Sequence, residues 1–130
     1  MEKRVILLDT SVLIEALRNK NKQATMLYTL ASRGDVLAVS SITVYEFRNG
    51  MTSVNQALCE QVLNSMKAVP FDDTAARIAS SIYRTLKSQH NLIDIADILI
   101  AATAMTHNAP IATLNTRHFQ RIAGLTFVAL

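Results

Sequence analysis

The chain has 130 residues, half of them hydrophobic and 18% charged, with only three Gly and two Pro. That length fits about one domain, burying roughly two-thirds of its unfolded surface without staples, and the composition excludes collagen-like, low-complexity and intrinsically disordered chains. Thirteen Lys and Arg against ten Asp and Glu leave a net charge of +3 and a pI near 9.3, a mild bias towards polyanionic partners.

Val5 to Leu8 is a short apolar run bounded by charge, which predicts a parallel strand buried on both faces. Asp9 ends it, and Val12, Leu13, Ala16 and Leu17 follow at helical spacing after the capping types Thr10 and Ser11. Lys20 to Lys22 read as a polar turn, and Ala24, Leu27, Tyr28 and Ala31 as a second helix ending near Gly34. Leu37 to Val39 is the next strand, stopped by Ser40 and Ser41. Thr43 to Asn49 is a short helix with Gly50 at its end, and a helix over Val54 to Met66 leads into a third strand, Ala68 to Phe71.

Asp72 to Gln89 is the longest predicted helix, with carboxylates at its positive end and Arg84 and Lys87 near its negative end. After a connection over Asn91 to Asp94, Ile95 to Thr106 is nearly all apolar apart from Asp97 and predicts a helix buried on most sides. Pro110 introduces a fourth strand, Ile111 to Thr113. Asn115 to Phe119 is a polar turn or short helix, and Thr126 to Ala129 a closing edge strand. Strands alternating with helices give an α/β fold: a single domain over 1–130, built as a three-layer sandwich with a mostly parallel central sheet flanked by helices.

The longest uncharged stretch, starting at Ile98, is interrupted by Asn108, Pro110 and Asn115, so no membrane span is expected. Lys3 and Arg4 precede only four apolar residues, too few for a secretory leader. Cys59 stands alone, which removes an intramolecular disulfide and any multi-cysteine zinc site, and a reducing cytoplasm is the expected setting.

In open sheets of this kind, ligands sit outside the carboxyl ends of the strands. Asp9 follows the first strand, Glu46 lies about a helical turn beyond the second, Asp97 opens the buried helix, and Thr113, Asn115 and His118 follow the fourth strand. Three carboxylates gathered there repel one another unless a cation sits among them, and hard oxygen donors with water suit Mg²⁺ or Mn²⁺. In a basic protein such a site points to phosphodiester hydrolysis.

Each residue also has a plainer reading. Asp9 can cap the first helix, Glu46 can be an exposed helix residue, and Asp94 with Asp97 can form an N-cap and its capping-box partner. Asp97 carries the strongest argument, because a carboxylate among Ile98, Leu99 and Ile100 is costly without a partner. Asp72 and Asp73 suit the helix they begin and read as structural. Thr10, Ser11 and Thr113 are caps whose hydroxyls can also orient a metal-bound carboxylate. Arg48, Arg117 and Arg121 are surface cations with the option of touching nucleic-acid phosphates. Neither the histidine spacing, the lone Cys59 nor the three glycines support zinc, thiol or phosphate-loop chemistry.

The segments LLDTSVLIEAL, SSITVYEFRNG, DILIAATAM and IATLNTRHFQRIAGL, in that order over nearly the whole chain, resemble the PIN domain of VapC-type toxins. The resemblance implies a cytoplasmic Mg²⁺- or Mn²⁺-dependent endoribonuclease of a toxin–antitoxin pair, dimeric and inhibited by a cognate antitoxin, that leaves 5′-phosphate and 3′-hydroxyl ends on its RNA. Position by position, it places the family's acids on Asp9, Glu46 and Asp97, and its hydroxyl on Thr10 or Ser11. Many members carry one more acid after the fourth strand, where this chain has Asn115 and His118. Asp94 is the nearest substitute. The competing reading is a catalytically weak or inactive PIN-fold binding protein. Aspartyl phosphatases need a second Asp where Ser11 stands, and signalling receivers need an acidic pair at the first strand, which is absent.

Overall fold

The structure, a computed structural model, describes residues 4–129; Lys3 lies outside them. Chain order is β1 (Val5–Leu8), α1 (Thr10–Arg18), α2 (Met26–Ser32), β2 (Val36–Ser40), α3 (Ser41–Asn49), α4 (Gln56–Asn64), β3 (Lys67–Val69), α5 (Asp73–Ser88), α6 (Ile95–Thr106), β4 (Ile111–Ala112) and α7 (Thr116–Phe119). The four strands form one parallel sheet in the order β3-β2-β1-β4.

Strand residues alternate between two cores, as a pleat requires. Leu7, Ala38 and Ile111 face α5 and α6, where Ala79, Ile82, Leu86, Ile98 and Ala102 complete the packing. Ile6, Leu8, Val39 and Ala112 face the other way, against Val12 and Leu13 of α1, Leu30 of α2, Phe47 of α3 and Cys59 of α4. The result is the expected three-layer sandwich. Helix α5 buries Ala75, Ala79, Ile82 and Leu86, one stripe of an amphipathic helix, whereas Ile98 and Ile100 to Ala104 of α6 are all buried. Among the described residues, no helix is long and apolar enough to cross a membrane.

Several boundaries differ from those read in the sequence. Strand β3 starts at Lys67 and stops at Val69, before Pro70, rather than running to Phe71. Helix α4 begins at Gln56 because Thr52 and Asn55 exchange side-chain bonds to each other's backbone N–H (2.7 and 3.2 Å), and the resulting turn leaves Val54 exposed. The closing strand shrinks to one parallel bridge between Ile111 and Phe127.

His90 and Asn108 take positive φ angles of 52° and 51° just beyond α5 and α6. There Asn91 N–H donates back to Leu86 and Ala109 N–H to Ala104, the bonds that close a Schellman turn. These residues terminate helices in a conformation that glycine adopts more easily.

The chain runs from β1 outward to β2 and β3, then returns to place β4 on the other side of β1. The carboxyl ends of β1 and β4 therefore flank the reversal point where open α/β sheets form their crevice. Asp9 N–H donates to Ala112 O at 2.9 Å, which sets Asp9 beside Thr113.

Candidate active site

Asp9 occupies the N-cap position of α1, but its side chain makes no capping bond. Instead its Oδ2 accepts from Ser11 Oγ and from Thr113 Oγ1, each at 2.8 Å. The two hydroxyls are themselves acceptors, Ser11 Oγ from Leu114 N–H (3.1 Å) and Thr113 Oγ1 from Asn115 N–H (2.8 Å). The loop after β4 is thus fastened to a carboxylate that is only 4% exposed. The capping reading of Asp9 gives way to a carboxylate clamped on one oxygen.

Glu46 is half-buried rather than an exposed helix residue. Thr10 Oγ1 donates to its Oε1 at 2.8 Å, tying α3 to the start of α1. Behind Thr10 lie two buried hydroxyls that the sequence did not single out, those of Thr43 and Ser40. The signal available was slight: Ser40 read only as a strand stop and Thr43 as a helix start.

Asp97 stands in the first turn of α6, its side chain 15% exposed. Burial pushes its carboxyl above the usual carboxylate range, and the nearby Asp9 charge pushes the same way; a hydrogen bond from His118 opposes the shift, and Asp94 adds to it. Asp94 sits at the N-cap of α6 without a side-chain capping bond, so the capping box suggested by the spacing does not form. His118 Nδ1 lies 3.3 Å from Asp97 Oδ2 and 2.9 Å from Asn115 Nδ2. A single ring nitrogen cannot accept from Asn115 and donate to Asp97 at once, so the two contacts alternate with the tautomer.

The remaining candidates divide. Arg117 is exposed on α7. Arg48 donates from Nη1 and Nη2 to the two carboxylate oxygens of Glu60 (2.5 and 3.2 Å), and Arg121 Nη1 donates to Leu92 O at 3.0 Å. Those two are occupied within the fold. Asp72 caps α5 through Ala75 N–H and Asp73 pairs with Arg77, the structural roles expected of them. Cys59 is buried, and burial pushes its thiol up, away from a reactive thiolate.

A groove of about 570 Å³ includes Val36, Leu37 and Lys67 at the amino ends of β2 and β3, away from the carboxyl ends that carry the acids. Volume therefore does not mark the carboxylate rim. A second groove of about 440 Å³ runs from Glu46 along Ile14, Arg18, Phe47 and Leu58.

The sequence profile of the PIN domain matches residues 6–125. The chain is 39% identical over 125 residues to Ribonuclease VapC1 of Methanocaldococcus jannaschii, covering 93% of this chain and 83% of that one. It belongs to the VapC family of PIN-domain ribonucleases. Ribonuclease VapC19 of Mycobacterium tuberculosis is 32% identical over 113 residues, 87% of this chain and 90% of that one. Among solved structures, the DNA-bound VapBC of Salmonella typhimurium superposes with a TM-score of 0.84 at 26% identity, covering 98% of each chain. The VapC resemblance and the PIN-like sandwich read from the four sequence segments are both borne out.

Is the rim suited to the ion that the VapC resemblance implies? Among the described residues, no three His, Cys, Asp or Glu side chains close into a ready-made cage. What the rim offers is an open set of hard oxygen donors, with Asp97 held near Asp9 at an electrostatic cost. Such a set fits a Mg²⁺-like ion, which keeps several of its waters and takes only one or two carboxylates.

Proposed function

We propose that this chain is a Mg²⁺- or Mn²⁺-dependent endoribonuclease, working in the cytoplasm as the toxin of a toxin–antitoxin pair, with Asp9, Glu46 and Asp97 as its ion-binding and catalytic carboxylates. The observation that carries this reading is Asp97, a largely buried carboxylate set close enough to Asp9 for the two charges to oppose each other. A fold keeps such a pair only where a cation or proton relieves it. When bound, a divalent ion supplies Lewis acidity at the phosphate and a water acidic enough to attack near neutral pH.

The chain's own residues do the positioning. Ser11 and Thr113 hold Oδ2 of Asp9 and so fix the plane of that carboxylate. Thr10, the residue after Asp9, holds Glu46. Asn115 and His118, in place of a further acid, contribute an amide and an imidazole beside Asp97. Arg48 is exposed too but is paired with Glu60, so Arg117, exposed and one residue from His118, is the candidate that meets RNA phosphate there.

The partners follow from the relatives, whose solved complexes are described as VapBC and toxin–antitoxin assemblies. The expected partners of this chain are a small antitoxin protein, an RNA substrate and a second copy of itself. The test is direct. Purified chain should cut RNA in Mg²⁺ or Mn²⁺, stop in EDTA, leave 5′-phosphates, and slow growth when expressed without its antitoxin. The second reading, a PIN-fold binder that does not cut, is favoured by the open carboxylate set and by Asn115 in place of an acid. RNA binding without cleavage in either ion would decide for it.

A further inference from the structure

Four oxygens run in series from the end of β2 into the carboxylate rim. Ser40 Oγ lies 3.4 Å from Thr43 Oγ1, Thr43 Oγ1 lies 3.1 Å from Thr10 Oγ1, and Thr10 Oγ1 lies 2.8 Å from Glu46 Oε1. Ser40 and Thr43 are fully buried and Thr10 is nearly so. A hydroxyl has one proton to donate. Thr10 Oγ1 is placed to donate to Glu46 Oε1, the shortest contact in the series, and to Thr43 Oγ1 behind it. Thr43 Oγ1 also accepts from Ser40 Oγ, so it receives a donor from each side. Ser40 Oγ in turn accepts from Thr43 N–H at 3.1 Å, which anchors the series in the backbone at the first turn of α3. Thr43 thus receives, from behind, the same hydroxyl that meets Glu46, within a buried network.

We infer that Thr43 is a positioning residue: backed by Ser40, its buried hydroxyl holds Thr10 Oγ1 in place and so fixes the Glu46 carboxylate at the rim. Asp9 is clamped by two hydroxyls acting in parallel on one oxygen, whereas Glu46 is held by hydroxyls acting in series. Thr43 touches neither substrate nor ion. It acts through Thr10, and its importance to the reaction rests on the nuclease reading above.

The experiment uses Thr43→Val, which keeps shape and loses the hydroxyl, Thr43→Ser, which keeps the hydroxyl, and each change again in a Glu46→Ala protein. Mn²⁺ binding by the purified full chain is read by calorimetry or electron paramagnetic resonance. Thr43→Val should weaken Mn²⁺ about tenfold, the lower end of the effect of supporting residues. Thr43→Ser should restore it, and Thr43→Val should add nothing once Glu46 is gone. Unchanged binding in Thr43→Val, no rescue by Ser, or an equal loss in the Glu46→Ala background would overturn the inference. If the parent chain binds no Mn²⁺, the metal-dependent reading fails on its own, and melting temperatures in EDTA still judge the series. A loss in the Thr43→Val, Glu46→Ala double variant smaller than the sum of the two single losses supports coupling; additive losses refute it.

Discussion

Asp9 and Asp97 face the same rim and are held there by opposite means. Asp9 is buried but doubly hydrogen-bonded, with Ser11 and Thr113 sharing its Oδ2. Asp97 is more open but still largely covered, sits among apolar residues of α6 and, among the described residues, has only the His118 contact at 3.3 Å to set against burial and the Asp9 charge. The first carboxylate is satisfied by the fold alone. The second is not, and the fold tolerates it in a position where only an added cation or a proton makes it comfortable. A site can thus be prepared by one residue the protein stabilises and one it leaves in need.

That contrast should vanish in activity and reappear in stability. Asp9→Asn and Asp97→Asn should each lower RNA cleavage by about 10³-fold or more, and the double variant should cost little beyond either single one, because residues serving one ion act as a unit. Losses that multiply in the cleavage assay would separate them into two sites.

In EDTA the two changes should move stability in opposite directions. Asp9→Ala strands two hydroxyl donors and should destabilise by about 1–2 kcal/mol. Asp97→Asn should stabilise by on the order of 1 kcal/mol near neutral pH. The sign with pH follows from the raised carboxyl of Asp97. Its contribution to stability is full below the unfolded pKa and is lost as pH rises through the folded one. Wild type should therefore gain on Asp97→Asn as the solution is acidified, a trend that urea titrations at several pH values would read.

The loop that stands in for a further acid gives a smaller effect. His118→Ala should reduce Mn²⁺-supported cleavage several-fold more than Mg²⁺-supported cleavage, since imidazole suits Mn²⁺ better, whereas Asn115→Ala should reduce both. Metal titrations that leave both midpoints unchanged would place this loop outside the site. Smaller still, and remote from the rim, His90→Gly should raise stability by about 0.5–1 kcal/mol by relieving a positive φ at the end of α5; no change in a thermal melt would deny that strain.

The elements with one dominant signal were legible in the sequence. The bounds of α6, Ile95–Thr106, coincide with its apolar run, and those of β1, Val5–Leu8, with its charge-bounded one. Edges set by side-chain bonds were not. The Thr52–Asn55 exchange displaced the start of α4, and a single bridge at Phe127 replaced a strand whose composition alone was adequate. Within the rim, the unfavourable burial of Asp97 was readable from its apolar neighbours. The hydroxyls of Ser11 and Thr113 were readable as caps and as partners of a metal-bound carboxylate, though not as sharing one oxygen of Asp9, and Thr43 was not readable at all, because its role depends on Thr10, 33 positions away, meeting it where α1 and α3 begin.

The most direct test of the unsatisfied carboxylate is the melting temperature of wild type and Asp97→Asn, each in EDTA and in saturating Mn²⁺. The account predicts that Asp97→Asn melts higher than wild type in EDTA, that Mn²⁺ raises wild type by the equivalent of about 2.7 kcal/mol at a hundredfold excess over its dissociation constant, and that the variant gains little. If wild type ignores Mn²⁺ and Asp97→Asn melts lower in EDTA, then Asp97 is a structural residue and the rim is not an ion site.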